Sequence, residues 1–129
     1  MGVESIDLSD NSFWIWNWNN KRDDIIKNIK DCKIGKGTVV QDNVDLYKCV
    51  IGENCKIGSY VYIEENVVIG SNVKIKPFVF IPTGVKIGNN VFIGPSTTFI
   101  NDKYPRAVNP NGTQRTGKDW KLIKTIVED

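Results

Sequence analysis

A chain of 129 residues, 40% of them hydrophobic, is long enough for one domain with its own core. Its formal net charge of +2 argues against the concentrated basic face of a nucleic-acid-binding protein. It has no run of about 18 apolar residues to span a membrane, no secretory layout in Met1-Gly2-Val3-Glu4-Ser5, and Ile6 where a myristoylation site needs a hydroxyl, so a cytoplasmic chain with no membrane or nucleic-acid partner is expected.

In chain order, Phe13-Trp14-Ile15-Trp16-Asn17-Trp18 comes first. Its tryptophans alternate, so an extended segment would set all three on one face. Packing against a cap or a neighbouring subunit is the plainer reading, and an aromatic platform for a sugar or a base is the alternative. Asn20 then stands where it could cap a short helix over residues 21–30, with Asp23 and Asp24 in the first turn and Ile25, Ile26 and Ile29 along one side. Residues 1–31 are therefore expected to form a helical and aromatic cap over an exposed solenoid end.

The centre of the chain is periodic. Ile51, Ile57, Ile63, Ile69, Ile75, Ile81, Ile87, Ile93 and Phe99 follow at an unbroken step of six. Two residues before each stands a small or apolar residue: Cys49, Cys55, Val61, Val67, Val73, Val79, Val85, Val91 and Thr97. Ile34, Val40 and Leu46 keep the step upstream, and the interval from Leu46 to Ile51 is one residue short, which predicts a tightened corner. A helical period of 3.6 cannot generate a step of six. The pattern fits a short strand with two inward side chains, then a bend. Asn54, Asn66, Asn72, Asn90 and Gly84 occupy the bend, where a positive φ suits Asn and Gly. Three such edges close a triangular coil of about eighteen residues, stacked on the next at roughly 4.8 Å. The expected fold is all-β: a left-handed parallel β-helix of hexapeptide repeats over residues 32–129. Cys32, Cys49 and Cys55 each precede an Ile-Gly pair in a position held elsewhere by Val, so they read as small buried apolar residues.

After Phe99 the rhythm stops. Residues 101–121 carry turn signals without hexads and are expected to protrude as a loop, with Thr125-Ile126-Val127 re-entering the coil. The sequence stops in mid-hexad with no polar closing cap, so either the solenoid is short at its C-terminal end or something else is expected to cover that end. Long excursions from rigid scaffolds are favoured places for function. This one gathers Asp102, Lys103, Tyr104 and Arg106 within five residues. Arg suits bidentate phosphate or carboxylate contact.

The hexads, together with Ile93-Gly94-Pro95-Ser96 and the segment from Phe99 through Asn101-Asp102-Lys103-Tyr104-Pro105-Arg106 to Ala107, resemble the hexapeptide-repeat N-acetyltransferases of nucleotide-linked amino sugars. The likeness is nearest to those that acetylate a 3-amino-3,6-dideoxyhexose on dTDP, and it runs over residues 32–129. The resemblance implies a homotrimer that binds acetyl-CoA and a sugar nucleotide between adjacent prisms, for surface-glycan synthesis. In the chemistry it implies, Asn101 would hydrogen-bond the amine or the thioester oxygen and Asp102 would relay the proton. Lys103 and Arg106 would face the pyrophosphate, and Tyr104 the sugar or base. Glu64 and Asn66 are further substrate-binding candidates, with corner duty as their plainer role. Phe78, Phe80 and Pro82-Thr83-Gly84 depart from the more polar residues of such relatives.

Histidine is absent, which removes the usual base of many hexapeptide acyltransferases and the zinc ligands of the carbonic-anhydrase use of this fold; no metal is expected. An amine acceptor can dispense with that base, because the unprotonated amine is already a good nucleophile. A sugar hydroxyl is a poorer one and makes O-acetylation the runner-up. A non-catalytic β-helix scaffold is the competing reading from a different class.

Overall fold

The computed structural model describes residues 4–6 by their backbone and residues 26–129 in full. Within them the chain forms strands of two to four residues, β1 to β14, and no helix. The strands build three parallel faces. Face one stacks β3 (Lys33–Ile34), β6 (Val50–Ile51), β9 (Val68–Ile69), β12 (Val85–Ile87) and β14 (Thr125–Val127). Face two stacks β4 (Thr38–Val40), β7 (Lys56–Ile57), β10 (Lys74–Ile75) and β13 (Phe92–Ile93), with β1 (Glu4–Ile6) added antiparallel on the first edge. Face three stacks β2 (Lys27–Lys30), β5 (Val44–Tyr47), β8 (Tyr62–Ile63) and β11 (Phe80–Ile81). The chain visits the faces in rotation through about four turns of a left-handed parallel β-helix.

The six-residue step is the cause of this architecture, since each hexad contributes one edge and points its isoleucine inward. Ile34, Ile51, Ile69 and Ile87 register on one another through face one, and Leu46, Ile63 and Ile81 through face three. All seven are at most 1% exposed. At about 1.5–3 kcal/mol for each fully buried side chain, before chain entropy is subtracted, these columns dominate stability. Cys32, Cys49 and Cys55 lie in the same interior as free thiols, as their valine-like placement predicts. Burial pushes the Cys55 thiol up, and a hydrogen bond with Cys32 together with burial does the same at Cys49, so both stay protonated and inert.

Each corner carries its own column of positive-φ residues. Gly37, Asn54, Asn72 and Asn90 turn the chain from face one to face two. Asn43, Tyr60, Phe78 and Ser96 turn it from two to three, and Asp31, Lys48, Asn66 and Gly84 from three to one. The predicted corner asparagines are where they are expected. Tyr60 and Phe78 are the exception, because bulky residues adopt this region only at a cost.

The helix expected over residues 21–30 is overturned in its last turn, where β2 pairs in parallel with β5 and sets Ile29 against Leu46. The solenoid repeat wins there over local amphipathicity: Ile29 to Ile34 repeats the short interval of Leu46 to Ile51, so Ile29 continues the interior column of face three. Lys27 Nζ lies 3.4 Å from Asp42 Oδ1 and ties the strand to the next corner. Trp14, Trp16, Trp18 and residues 21–25 fall outside the described residues.

Gly35, Gly52, Gly70 and Gly88 stack at the entrance to the first corner. A Cβ on Gly52 would lie 2.6 Å from the Gly70 carbonyl carbon and oxygen. Gly52→Ala is therefore expected to cost about 1–3 kcal/mol through forced separation of two coils, seen as a lower thermal midpoint. Gly94→Ala, whose Cβ would meet only Thr97 Oγ1 at 4.0 Å, is expected to leave the midpoint unchanged. Equal melting of the two variants would contradict the stacking account.

Candidate active site

The excursion departs from the corner between faces three and one. Its last regular rung is Thr98, bridged to Phe80, after which Phe99 packs against the core. Asn101 follows one coil above Thr83, and its Nδ2 donates to the Thr83 carbonyl at 3.0 Å. The Ile123 N–H donates to the Asn101 carbonyl at 2.9 Å, and the Thr125 N–H to the Gly84 carbonyl at 3.2 Å. Both ends of the loop are thus pinned to one turn, Pro82-Thr83-Gly84. Gly84 is required there: its φ is +95°, and a Cβ would lie 3.0 Å from Leu122 Cδ2.

That turn is held from below by Glu64, whose Oε2 accepts the Thr83 N–H at 2.9 Å. Glu64, Thr83 and Asn101 therefore form a continuous hydrogen-bonded path across three coils. Tyr47, Tyr62, Glu64, Glu65 and Thr83 line a shallow cleft of about 250 Å³ beside it. Two carboxylates and two phenols give the cleft an acidic, aromatic lining suited to a polar, cationic ring substituent. Asn66 serves the corner backbone, with φ 63° and its N–H on the Lys48 carbonyl at 3.1 Å.

Farther out, Asp102 Oδ1 accepts the Tyr104 N–H at 3.0 Å, while Oδ2 lies 3.9 Å from Arg115 Nη1. Arg115 also donates to the Tyr104 carbonyl at 3.0 Å and to the Asp119 carbonyl at 2.8 Å. Lys103 Nζ lies 5.4 Å from the Tyr104 ring centre, and Lys103, Tyr104 and Arg106 are all exposed. The candidates thus fall into two groups: Asn101 and Glu64 joined at the root through Thr83, and Asp102 with Tyr104 organised by Arg115.

Arg115 and Thr83 escape a reading by motif. Thr83 was legible in principle, because one coil is eighteen residues and it stands one coil below Asn101; Glu65 stands one coil lower again. Arg115 carries no periodic signal.

The loop has its own pH dependence. The backbone N–H of Thr116, with the side chains of Asn109 and Thr116, holds the Asp119 carboxyl below its ordinary 3.8. A depressed carboxyl contributes to order above its ordinary value and loses that contribution as pH falls through the depressed one. Protection of the Thr116 amide from solvent exchange is accordingly expected to persist at neutral pH and to disappear in strong acid. Protection unchanged by acid would contradict this.

Residues 48–83 and 66–101 match the family described as bacterial transferase hexapeptide (six repeats). Among solved structures, the chain is similar to serine acetyltransferase isoform 3 from Entamoeba histolytica, solved in complex with cysteine, at 23% identity and a TM-score of 0.49. That likeness covers 65% of this chain, which spans only 36% of the other. No curated protein matches.

Proposed function

We propose that this chain is an acetyl-CoA-dependent N-acetyltransferase whose acceptor is the amine of a nucleotide-linked sugar, of the dTDP-3-amino-3,6-dideoxyhexose class, and that it works as a homotrimer. The observation that carries the reading is the pinned root of the loop, where Asn101 is fixed by Thr83 and Thr83 by Glu64 beside an acidic, aromatic cleft. The match to the hexapeptide transferase family supports the acyl-transfer half of it.

Thioester aminolysis needs an oriented amine, a donor to the developing oxyanion and a proton acceptor. Asn101 spends one Nδ2 hydrogen on Thr83 and keeps a second N–H for the thioester oxygen and Oδ1 for the amine. Asp102, whose Oδ1 is engaged by the Tyr104 N–H, offers Oδ2 to the proton released as the C–N bond forms and returns it to the sulfur as the C–S bond breaks, so that coenzyme A leaves as its thiol. Glu64 and Glu65 attract the acceptor's amino group. Lys103 and Arg106 reach toward the pyrophosphate, and Tyr104 offers its ring to the sugar or base. A neighbouring prism of the trimer would close the open side of this corner.

Calorimetry with acetyl-CoA and a dTDP-3-amino sugar tests the reading. Binding of both with appearance of the N-acetylated sugar is expected. Absence of binding and of product would leave a scaffold.

A further inference from the structure

A second cleft lies away from the loop, on face two and its corner with face three. It has a volume of about 580 Å³ and is lined by Lys56, Lys74, Lys76, Gln41 and Ser59 among others. Lys56 and Lys74 are direct partners in the β7–β10 ladder, so their side chains leave the same face from backbones one strand spacing apart, about 4.8 Å. Like charges set directly opposite on neighbouring strands destabilise a sheet. Among the described residues none of the three lysines has an ion-pair partner, and no Asp or Glu lines the cleft. The site is polarised for an anion.

A second feature adjoins it. Ser59 and Pro77, both in the cleft wall, are followed directly by Tyr60 and Phe78, whose rings stack at 5.1 Å with planes 4° apart. These aromatics are 56% and 60% exposed and both hold positive φ, at positions where the equivalent residues of the coils below and above are Asn43 and Ser96. Asn would meet the corner's backbone demand with less strain, so the corner itself gives no reason for large rings. A paired phosphate and base would use both features.

We propose that this cleft binds a nucleoside diphosphate group, with Lys56, Lys74 and Lys76 on the diphosphate and the Tyr60–Phe78 pair against the base. It deepens the proposed function, since both the sugar nucleotide and coenzyme A carry such a group, and it rests on that reading only for the source of the ligand. The site lies on a different face from the 101–106 segment, so preference for coenzyme A here leaves the sugar nucleotide's pyrophosphate with Lys103 and Arg106, whereas preference for dTDP moves that pyrophosphate to these lysines.

Calorimetry at low ionic strength with inorganic pyrophosphate, dTDP and coenzyme A tests it on the full chain. Pyrophosphate is expected to bind, with affinity falling as salt is added. The double variant Lys56→Gln, Lys74→Gln is expected to weaken it by about tenfold or more. Lys33→Gln, an exposed lysine on face one, is expected to change it by less than about twofold. Phe78→Asn is expected to leave pyrophosphate binding intact while removing the extra affinity of whichever nucleotide binds more tightly, and the preferred nucleotide identifies the source. No binding by the unmodified chain, or equal weakening by Lys33→Gln, overturns the site. Because the readout is binding, its failure is separable from that of the acetyl-transfer reading, which is judged on product.

Discussion

Ile69→Asp is expected to abolish cooperative folding. Ile69 is 1% exposed and sits in register between Ile51 and Ile87 in the interior column of face one. A carboxylate there has no partner within the column, and burial of an unpaired charge costs several kcal/mol beyond the lost apolar transfer. A domain stable by about 5–15 kcal/mol has little margin for that. The damage also spreads, since each coil is stabilised by the coils on either side. The milder Ile69→Ala is expected to cost about 2–5 kcal/mol. Val68→Asp is one residue away on the same strand, but Val68 points outward and is 40% exposed, so that variant should fall within about 0.5 kcal/mol of the parent. Thermal melts followed by far-ultraviolet circular dichroism distinguish them. A normal melt for Ile69→Asp would remove the hollow-column account.

The second large effect is on catalysis. Asn101→Ala removes the donor that joins the loop root to Thr83 together with the amide assigned to the thioester oxygen. Its acetyl-transfer rate is expected to fall by about 10²–10³. Asp102→Asn keeps the shape and an acceptor oxygen for the Tyr104 N–H but loses the proton acceptor, with an expected fall of about 10²–10⁴. Neither should shift the thermal midpoint much, because both residues lie outside the isoleucine columns. Lys118→Ala, on the exposed part of the loop, should retain the parent rate. Rates unchanged in both Asn101→Ala and Asp102→Asn would move the chemistry elsewhere.

The interior was legible because burial demands a fixed residue type at a fixed step: Ile57, Ile63 and Ile69 could be placed from spacing alone, and Asn54, Asn72 and Asn90 marked a corner by their tolerance of positive φ. At the N-terminal end Ile29 belongs both to a helical face with Ile25 and Ile26 and to the interior column one short interval before Ile34, and only pairing with β5 decides between them. Tyr60 and Phe78 were hidden for the opposite reason. Their one-coil separation is present in the numbering, but they hold a corner position for which their residue types give no signal, so the stacking of the rings is seen only in three dimensions. In the site, the one-coil relation of Thr83 to Asn101 was present in the numbering, whereas the contacts of Arg115 with Asp102, Tyr104 and Asp119 depend on how an aperiodic loop closes. The same coil period sets Lys56 against Lys74.

The most direct measurement is release of free coenzyme A thiol when the chain is mixed with acetyl-CoA and either a dTDP-3-amino-3,6-dideoxyhexose or the matching sugar with a 3-hydroxyl. Thiol release with the amine, rising as the amine deprotonates and nearly absent with the hydroxyl, is the predicted result. Equal rates with both acceptors, or release with neither, would contradict amine acetylation at the Asn101 corner.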